Sequence, residues 1–227
     1  MKKVLIVGGS KGIGNALLHQ LLDDHQIINI SRTEPEISHP NLEHHGLDVL
    51  NDDLPVIEKL DGLVYCPGSI NLKPISRLSI EDFTSDFQVN VLGAVKCIQF
   101  YLKALKSGNN SSIVLFSTVA SKLGMPFHAS IATAKSGVEG LVKSLGAELA
   151  PTVRINAIAP TVTDTTLAEK ILRNDSMKEK MVERHPLKKY LNPEEVAHMT
   201  SFLLSEKSSS MSGQIFELDC GIVSFKI

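Results

Sequence analysis

The sequence predicts an α/β fold, a single domain spanning 1–227 in which a doubly wound parallel sheet carries helices on both faces. Three observations predict it. The chain has 227 residues, the length of one domain with a full-sized core. Short β-rich apolar runs alternate along it with longer segments of helical period, the order that successive βαβ units require. The first of these runs is followed directly by a glycine-rich turn, Gly8-Gly9-Ser10-Lys11-Gly12-Ile13-Gly14, and then by a helix. With 43% hydrophobic and 21% charged residues the composition is that of a chain that folds.

The elements follow in order. Strands are expected at 4–7, 27–30, 42–47, 62–66, 112–116, 154–158 and 214–218, each a short apolar or β-branched run. A helix over 12–22 carries Ile13, Leu17 and Leu21 on one stripe. A long one over 79–107 carries Phe83, Phe87, Val91, Ala94, Ile98 and Leu102, and starts at Ser79 with Asp82 three residues on, a variant of the capping box. A third spans 130–150. The last, over 192–205, opens with Asn192-Pro193-Glu194-Glu195: a cap, a proline in the first turn, and acids behind it. Two stretches lack a regular pattern. Residues 33–40 hold two prolines and little apolar period, so the second crossover is expected to run as a loop. Residues 164–191 mix a helical piece at 167–172 with Asn174-Asp175-Ser176 and a basic run at 184–189, which reads either as a mobile flap near the site or as an ordinary helical insertion.

Composition also excludes function classes. Lys and Arg (23) against Asp and Glu (25) leave a net charge of −2, so no bulk basic field exists to hold nucleic acid or an anionic membrane. No apolar run approaches the roughly 20 residues of a membrane span, and the run at 4–7 is too short for a signal peptide. Cys66, Cys97 and Cys220 are odd in number, widely spaced and without a CxxC, which argues against disulfides and zinc and for a reducing cytoplasm. His39, His44 and His45 lack the accompanying ligands of a metal site, and none is expected.

The chemistry begins at the glycine turn. Glycines there permit a tight turn, close approach of backbone to a pyrophosphate and close helix–strand packing, while the helix N-terminus offers free N–H groups to phosphates. The Gly-Lys-Ser/Thr of a Walker loop is missing. At the end of the second strand, where an NAD site places an acid for the ribose 2′-OH, stand Ser31 and Arg32. Arg32 and Lys11 are two cations where a 2′-phosphate would sit, so NADP(H) is the expected cofactor. Asn90 shares the helical face of Phe83, Phe87 and Ala94, which should point inward, and a buried amide needs hydrogen-bond partners. Lys135 stands in an Ala- and Gly-rich helical stretch beside Ala134, Val138 and Leu141.

The glycine turn, Asn90, Lys135 and the downstream Asn156-Ala157-Ile158-Ala159-Pro160 together resemble the short-chain dehydrogenase/reductase family, closest to its 3-oxoacyl-carrier-protein reductase-like members. The resemblance runs from Lys3 to Gly221 and implies a Rossmann-type domain. It assigns cofactor binding to Gly8, Ser10, Lys11, Gly12, Ile13, Gly14, Ser31 and Arg32, to Asp48 and Val49 at the adenine, and to Cys66, Gly68, Lys135, Pro160, Thr163 and Thr165. It assigns catalysis to Asn90, Thr118 and Lys135. The family's catalytic motif is Tyr-x-x-x-Lys, and with Lys135 as its lysine the tyrosine position is Ile131. Its serine falls at Thr118, a hydroxyl still able to hydrogen-bond a carbonyl. Its Asn-Asn-Ala-Gly has become Tyr65-Cys66-Pro67-Gly68, and the glycine after Pro160 has become Thr161.

A general acid contributes roughly 10²–10⁴ in rate, while positioning a hydride donor can supply more, so a reductase survives this loss. Substitute donors are Lys135, His128 or a bound water. The first expectation is therefore an NADP(H)-dependent oxidoreductase acting on a carbonyl or hydroxyl of a small or carrier-bound substrate. The alternatives are a catalytically silent NADP-binding sensor or inactive partner subunit, and a non-redox dehydratase or isomerase. The family resemblance also implies a homodimer or homotetramer paired through the helices at 79–107 and 130–150, the second of which has an apolar face of Val138, Leu141, Val142, Leu145 and Leu149.

Overall fold

The run Val4–Val7 has no polar alternation, and a strand of that kind is stable only where both faces are covered. In the computed structural model, which describes residues 1–225, it lies in the interior of the sheet as part of β1 (Lys2–Val7). Val4, Leu5, Ile6 and Val7 are all fully buried. The other strands are β2 (His25–Ser31), β3 (Leu42–Gly46), β4 (Gly62–Tyr65), β5 (Ser111–Phe116), β6 (Val153–Pro160) and β7 (Ile215–Leu218). They form one seven-stranded sheet in the order β3-β2-β1-β4-β5-β6-β7, and every pairing is parallel.

Successive β1 side chains feed two cores, as the period of two requires. Leu5 and Val7 pack with Cys97, Ile98, Tyr101 and Leu105 of α3 (Gly93–Lys106) and with Val138 and Val142 of α4 (Ala129–Leu149). Val4 and Ile6 pack with Leu17 and Leu18 of α1 (Gly12–Leu21) and with Val196, Leu203 and Leu204 of the C-terminal helix Pro193–Leu204. Each such side chain contributes about 1.5–3 kcal/mol on burial. Strand order reverses between β1 and β4, and the crevice outside the carboxyl ends of strands at such a switch point is where open α/β sheets bind ligands.

All seven expected strands form, and both capping signatures hold. The Ser79 side chain accepts from the Asp82 N–H at 3.2 Å, and Asn192 accepts from the Glu195 N–H at 3.0 Å, each acid reaching back to the cap. Residues 33–40 contain no helix.

Two expectations need correction. The single helix over 79–107 is instead α2 (Ile80–Phe87), a π-helical turn over Gln88–Leu92, and α3. A π turn takes more residues per revolution and so rotates the face that follows. Within α2 and the π turn, Asp86 and Asn90 are the most buried residues, at 0% and 2% exposure, whereas Phe87, expected inside, lies against Gly137 of α4 and is 40% exposed. The second correction concerns 164–191. The helical piece expected at 167–172 shrinks to a 3₁₀ turn at Thr166–Ala168, while Asn174-Asp175-Ser176 starts a true helix, α5 (Asp175–Arg184). The Asn174 side chain caps it, accepting from the Met177 N–H at 3.0 Å. Periodicity missed this helix because none of its residues is buried, so it carries no apolar stripe. The helix Pro193–Leu204 is α6.

Candidate functional site

β1 ends in a turn that only glycine allows. Gly8 and Gly12 have φ of +83° and +54°, and a Cβ on Gly14 would lie 2.3 Å from the Gly8 carbonyl oxygen, so α1 can seat on the turn only without a side chain there. The Gly8 N–H donates to Ile30 O at 2.7 Å, and the Gly9 N–H to the buried Asn29 side chain at 2.9 Å, tying the turn to β2. α1 therefore starts at the carboxyl edge of the sheet with no acidic residue in its first turn, a site that attracts anions.

A long cleft opens over this turn. Gly8, Ser10, Lys11, Gly12, Ile13 and Gly14 form its floor, Ser31 and Arg32 one end, and Asp48 and Val49 the flank. Cys66, Gly68 and Thr165 close the other end. Lys11 and Arg32 are exposed, and neither forms an ion pair among the described residues. The Asp48 carboxylate is engaged by its own turn, accepting from the Leu50 N–H at 3.0 Å and from Asn51 Nδ2 at 3.1 Å.

Ile13, Cys66, Gly68 and Thr165 also line a second cavity of about 270 Å³, so the two spaces adjoin. The second holds Thr118, Ile131, Lys135, Pro160 and Thr163, with an apolar wall that includes Ile70, Leu72, Met125 and Val162. Thr118 follows β5 and caps a 3₁₀ turn, its oxygen accepting from the Ala120 N–H at 3.3 Å, which leaves its O–H to donate elsewhere. Lys135 projects from α4 one turn after Ile131, which is 4% exposed. Its Nζ donates to Phe116 O at 2.8 Å. Burial lowers the Lys135 pKa to about 8, against the opposite pull of the Asp86 carboxylate. The Cys66 thiol is itself pushed up to about 12 by burial, so it stays protonated. His128 stands at the rim, its Nδ1 2.7 Å from Pro126 O.

Asn90 is not brought into either space. It lies behind Gly68, with Nδ2 donating to Ser69 Oγ at 3.1 Å and to Asp86 O at 2.8 Å, and its Oδ1 is buried without a partner among the described residues.

Sequence reasoning missed Asp86 and His185 here, and it met Thr161 only as a departure from the family pattern and Arg184 only within the segment 164–191. The Asp86 carboxylate, fully buried, accepts from Ser69 Oγ at 2.7 Å, Ser130 Oγ at 2.6 Å and Asn71 Nδ2 at 3.1 Å. A signal existed, since Asp86 precedes Asn90 by one helical turn and shares its face. Thr161, Arg184 and His185 also line the second cavity, and nothing local in the sequence pairs Thr161 with His185.

A glycine turn at a sheet switch point, a cation-flanked cleft and an adjoining cavity lined by a half-buried lysine are features of a nucleotide-binding α/β enzyme. Comparison with known proteins makes this specific. The family described as enoyl-(acyl carrier protein) reductase matches residues 50–223. The 3-oxoacyl-[acyl-carrier-protein] reductase FabG of Thermotoga maritima is 30% identical, over 98% of both chains. Carbonyl reductase [NADPH] 2 of Sus scrofa is 27% identical, over 96% of this chain and 95% of that one. A short chain dehydrogenase family protein from Francisella tularensis superposes with a TM-score of 0.88 at 25% identity, over 99% of this chain and 100% of that one. ElxO with NADP bound does so at 0.87 and 27%, with the same coverage. The chain belongs to the short-chain dehydrogenase/reductase family, and it is an oxidoreductase.

Proposed function

We propose that this oxidoreductase uses NADP(H) to reduce a carbonyl, or to oxidise the corresponding hydroxyl, on a small or carrier-bound substrate, with Lys135 as proton donor. The observation that carries the reading is the junction of the two spaces: Thr118, Ile131 and Lys135 line the cavity that adjoins the glycine-turn cleft, and in the family resemblance Ile131 stands for the motif's tyrosine.

The residues present fit the cofactor. Gly8, Gly12 and Gly14 put a turn without side chains along the cleft, where backbone can approach a pyrophosphate, the α1 N-terminus starts there, and Arg32 with Lys11 stands ready for a 2′-phosphate. Asp48 and Val49 flank the adenine end, while Pro160, Thr163 and Thr165 border the nicotinamide end. NADPH, when bound, supplies the hydride. Thr118 then holds the carbonyl oxygen through its O–H. Lys135 spends one N–H on Phe116 O and moves a proton from Nζ to the oxygen as charge develops there. Ile131 and the apolar wall keep water away. Asn90 and Asp86 act from behind, holding Ser69 at the cavity wall, while Asp86 also ties Ser130 of α4 to α2.

The test is NADPH consumption with ketones, 3-oxoacyl thioesters and quinones. Turnover with any class supports the reading. Tight NADPH binding with no turnover hands the site to the silent sensor or inactive partner, and dehydration or isomerisation without NADPH oxidation hands it to the non-redox reading.

NADPH is expected to bind at least about tenfold more tightly than NADH, because Arg32 and Lys11 gain a doubly charged partner. Arg32→Asp should reverse that order in a fluorescence titration. Equal affinities in the parent protein would remove those two cations from the site.

Homo-oligomerisation is the companion proposal. Phe87, Leu92 and Phe100 are 40–49% exposed along the segment spanning α2 and α3. On α4, Val138, Val142 and Leu149 are used in the core, leaving Leu141 and Leu145 half-buried. Light scattering should show a dimer or tetramer, and the monomer mass of 24.7 kDa at micromolar concentration would contradict it. The three unpaired cysteines support a cytoplasmic setting, and no helix among the described residues is long and apolar enough to cross a membrane.

A further inference from the structure

Within the apolar wall of the substrate cavity lies one polar pair. Thr161 follows Pro160 at the end of β6 and is 6% exposed, and His185 closes α5 and is 1% exposed. Thr161 Oγ1 and His185 Nε2 are 2.6 Å apart. The other ring nitrogen, Nδ1, is 2.5 Å from Met181 O. A carbonyl oxygen only accepts, so Nδ1 carries the ring hydrogen. In the neutral imidazole Nε2 is then bare and accepts, which makes the Thr161 O–H the donor. The backbone fixes Thr161 further, its N–H donating to Leu218 O at 3.0 Å and its carbonyl accepting from Thr163 Oγ1 at 3.1 Å.

The consequence is directional. With its hydrogen spent on His185, the Thr161 hydroxyl can offer a ligand only lone pairs. Both residues line the cavity, and no second hydrogen bond to Thr161 Oγ1 occurs among the described residues. We propose that the Thr161–His185 pair is a substrate-recognition subsite that selects carbonyl compounds bearing a hydrogen-bond donor, a hydroxyl or an amide N–H, on an otherwise apolar body. This rests on the reading of the cavity as the carbonyl site. A substrate lacking the donor leaves the lone pairs of the threonine oxygen without a donor, and a site built around a polar partner rejects analogues that lack it.

Two measurements test it. In the whole protein, ¹⁵N NMR of the His185 ring should show a protonated Nδ1 and a bare Nε2; the opposite tautomer overturns the proposal without reference to turnover. Calorimetric titration then compares methylated twins with the NADPH-loaded protein: 1-hydroxy-2-octanone against 1-methoxy-2-octanone, and N-hexylacetoacetamide against its N-methyl derivative. At least one donor-bearing compound should bind about tenfold or more tightly than its twin, and which pair responds separates hydroxyl from amide. Thr161→Val should erase the preference, Thr161→Ser should retain it, and His185→Phe, which frees the Thr161 O–H to donate, should move it toward the ether. Equal affinities within both pairs, no binding of any compound, or a preference that persists in Thr161→Val overturns the proposal. NADPH oxidation is read separately. Donor preference without oxidation keeps the subsite and sinks the reductase reading, whereas oxidation without donor preference does the reverse.

Discussion

Ile131→Tyr is expected to raise carbonyl reduction by about 10²–10⁴, the contribution of a positioned general acid. Ile131 lines the cavity one helical turn before Lys135, so a phenol there projects toward the space shared by Lys135 and Thr118. The adjacent ammonium favours the phenolate and eases proton release. The cavity of about 270 Å³ in front of Ile131 gives the larger ring a place to go without entering the closely packed core. The gain should fall mainly on kcat, because proton transfer belongs to the transition state and not to binding. A variant that binds NADPH as before yet shows no gain on any substrate the parent reduces would mean the pocket has been rebuilt for other chemistry. The substitutions at Cys66-Pro67 and Thr161 would then carry the explanation.

Removing the proposed donor should do the opposite. Lys135→Met keeps the length of the side chain, discards the charge, and should lower kcat by about 10²–10⁴. It also leaves Phe116 O without its 2.8 Å donor, so stability has to be followed alongside activity. The pH profile separates the two effects. Burial holds Lys135 at about 8, and the donor is the protonated amine. Reduction in the parent should therefore be level below pH about 8 and fall above it, approaching tenfold per pH unit. An undisturbed lysine would sustain the rate to pH about 10.4. Lys135→Met should remove that descent along with most of the rate. A parent profile level to pH 10 would mean that burial does not lower Lys135, and a rate that Lys135→Met leaves unchanged would exclude Lys135 as the donor and turn attention to His128 or water.

Much of the fold was legible because it rests on local signals. The unbroken apolar run at 4–7 specified a buried parallel strand, the glycines at 8, 12 and 14 a turn that no other residue fits, and Ser79–Asp82 and Asn192–Glu195 two helix starts. The pattern weakened where a helix buries nothing, as in α5, and where a π turn shifts the phase of a stripe, as at Gln88–Leu92. On α2 itself three side-chain donors meet Asp86 and hold it inside, while Phe87 beside it stays 40% exposed.

The candidate site divides along the same line. By itself the sequence determined which residue types occupy the glycine turn, the end of β2, and positions 118, 131 and 135, because each is set by its distance along the chain from a recognisable turn or helix. Only the tertiary structure decided that Asn90 stands behind Gly68 and outside the cavity, that Asp86 gathers Ser69, Asn71 and Ser130, and that Thr161 meets His185 across 24 residues of chain. Such contacts join separate elements, and buried hydroxyls, amides and carboxylates must find partners wherever packing places them. Residue spacing carries no record of partners made that way, because they are set by how α2, α4, β6 and α5 meet around one cavity.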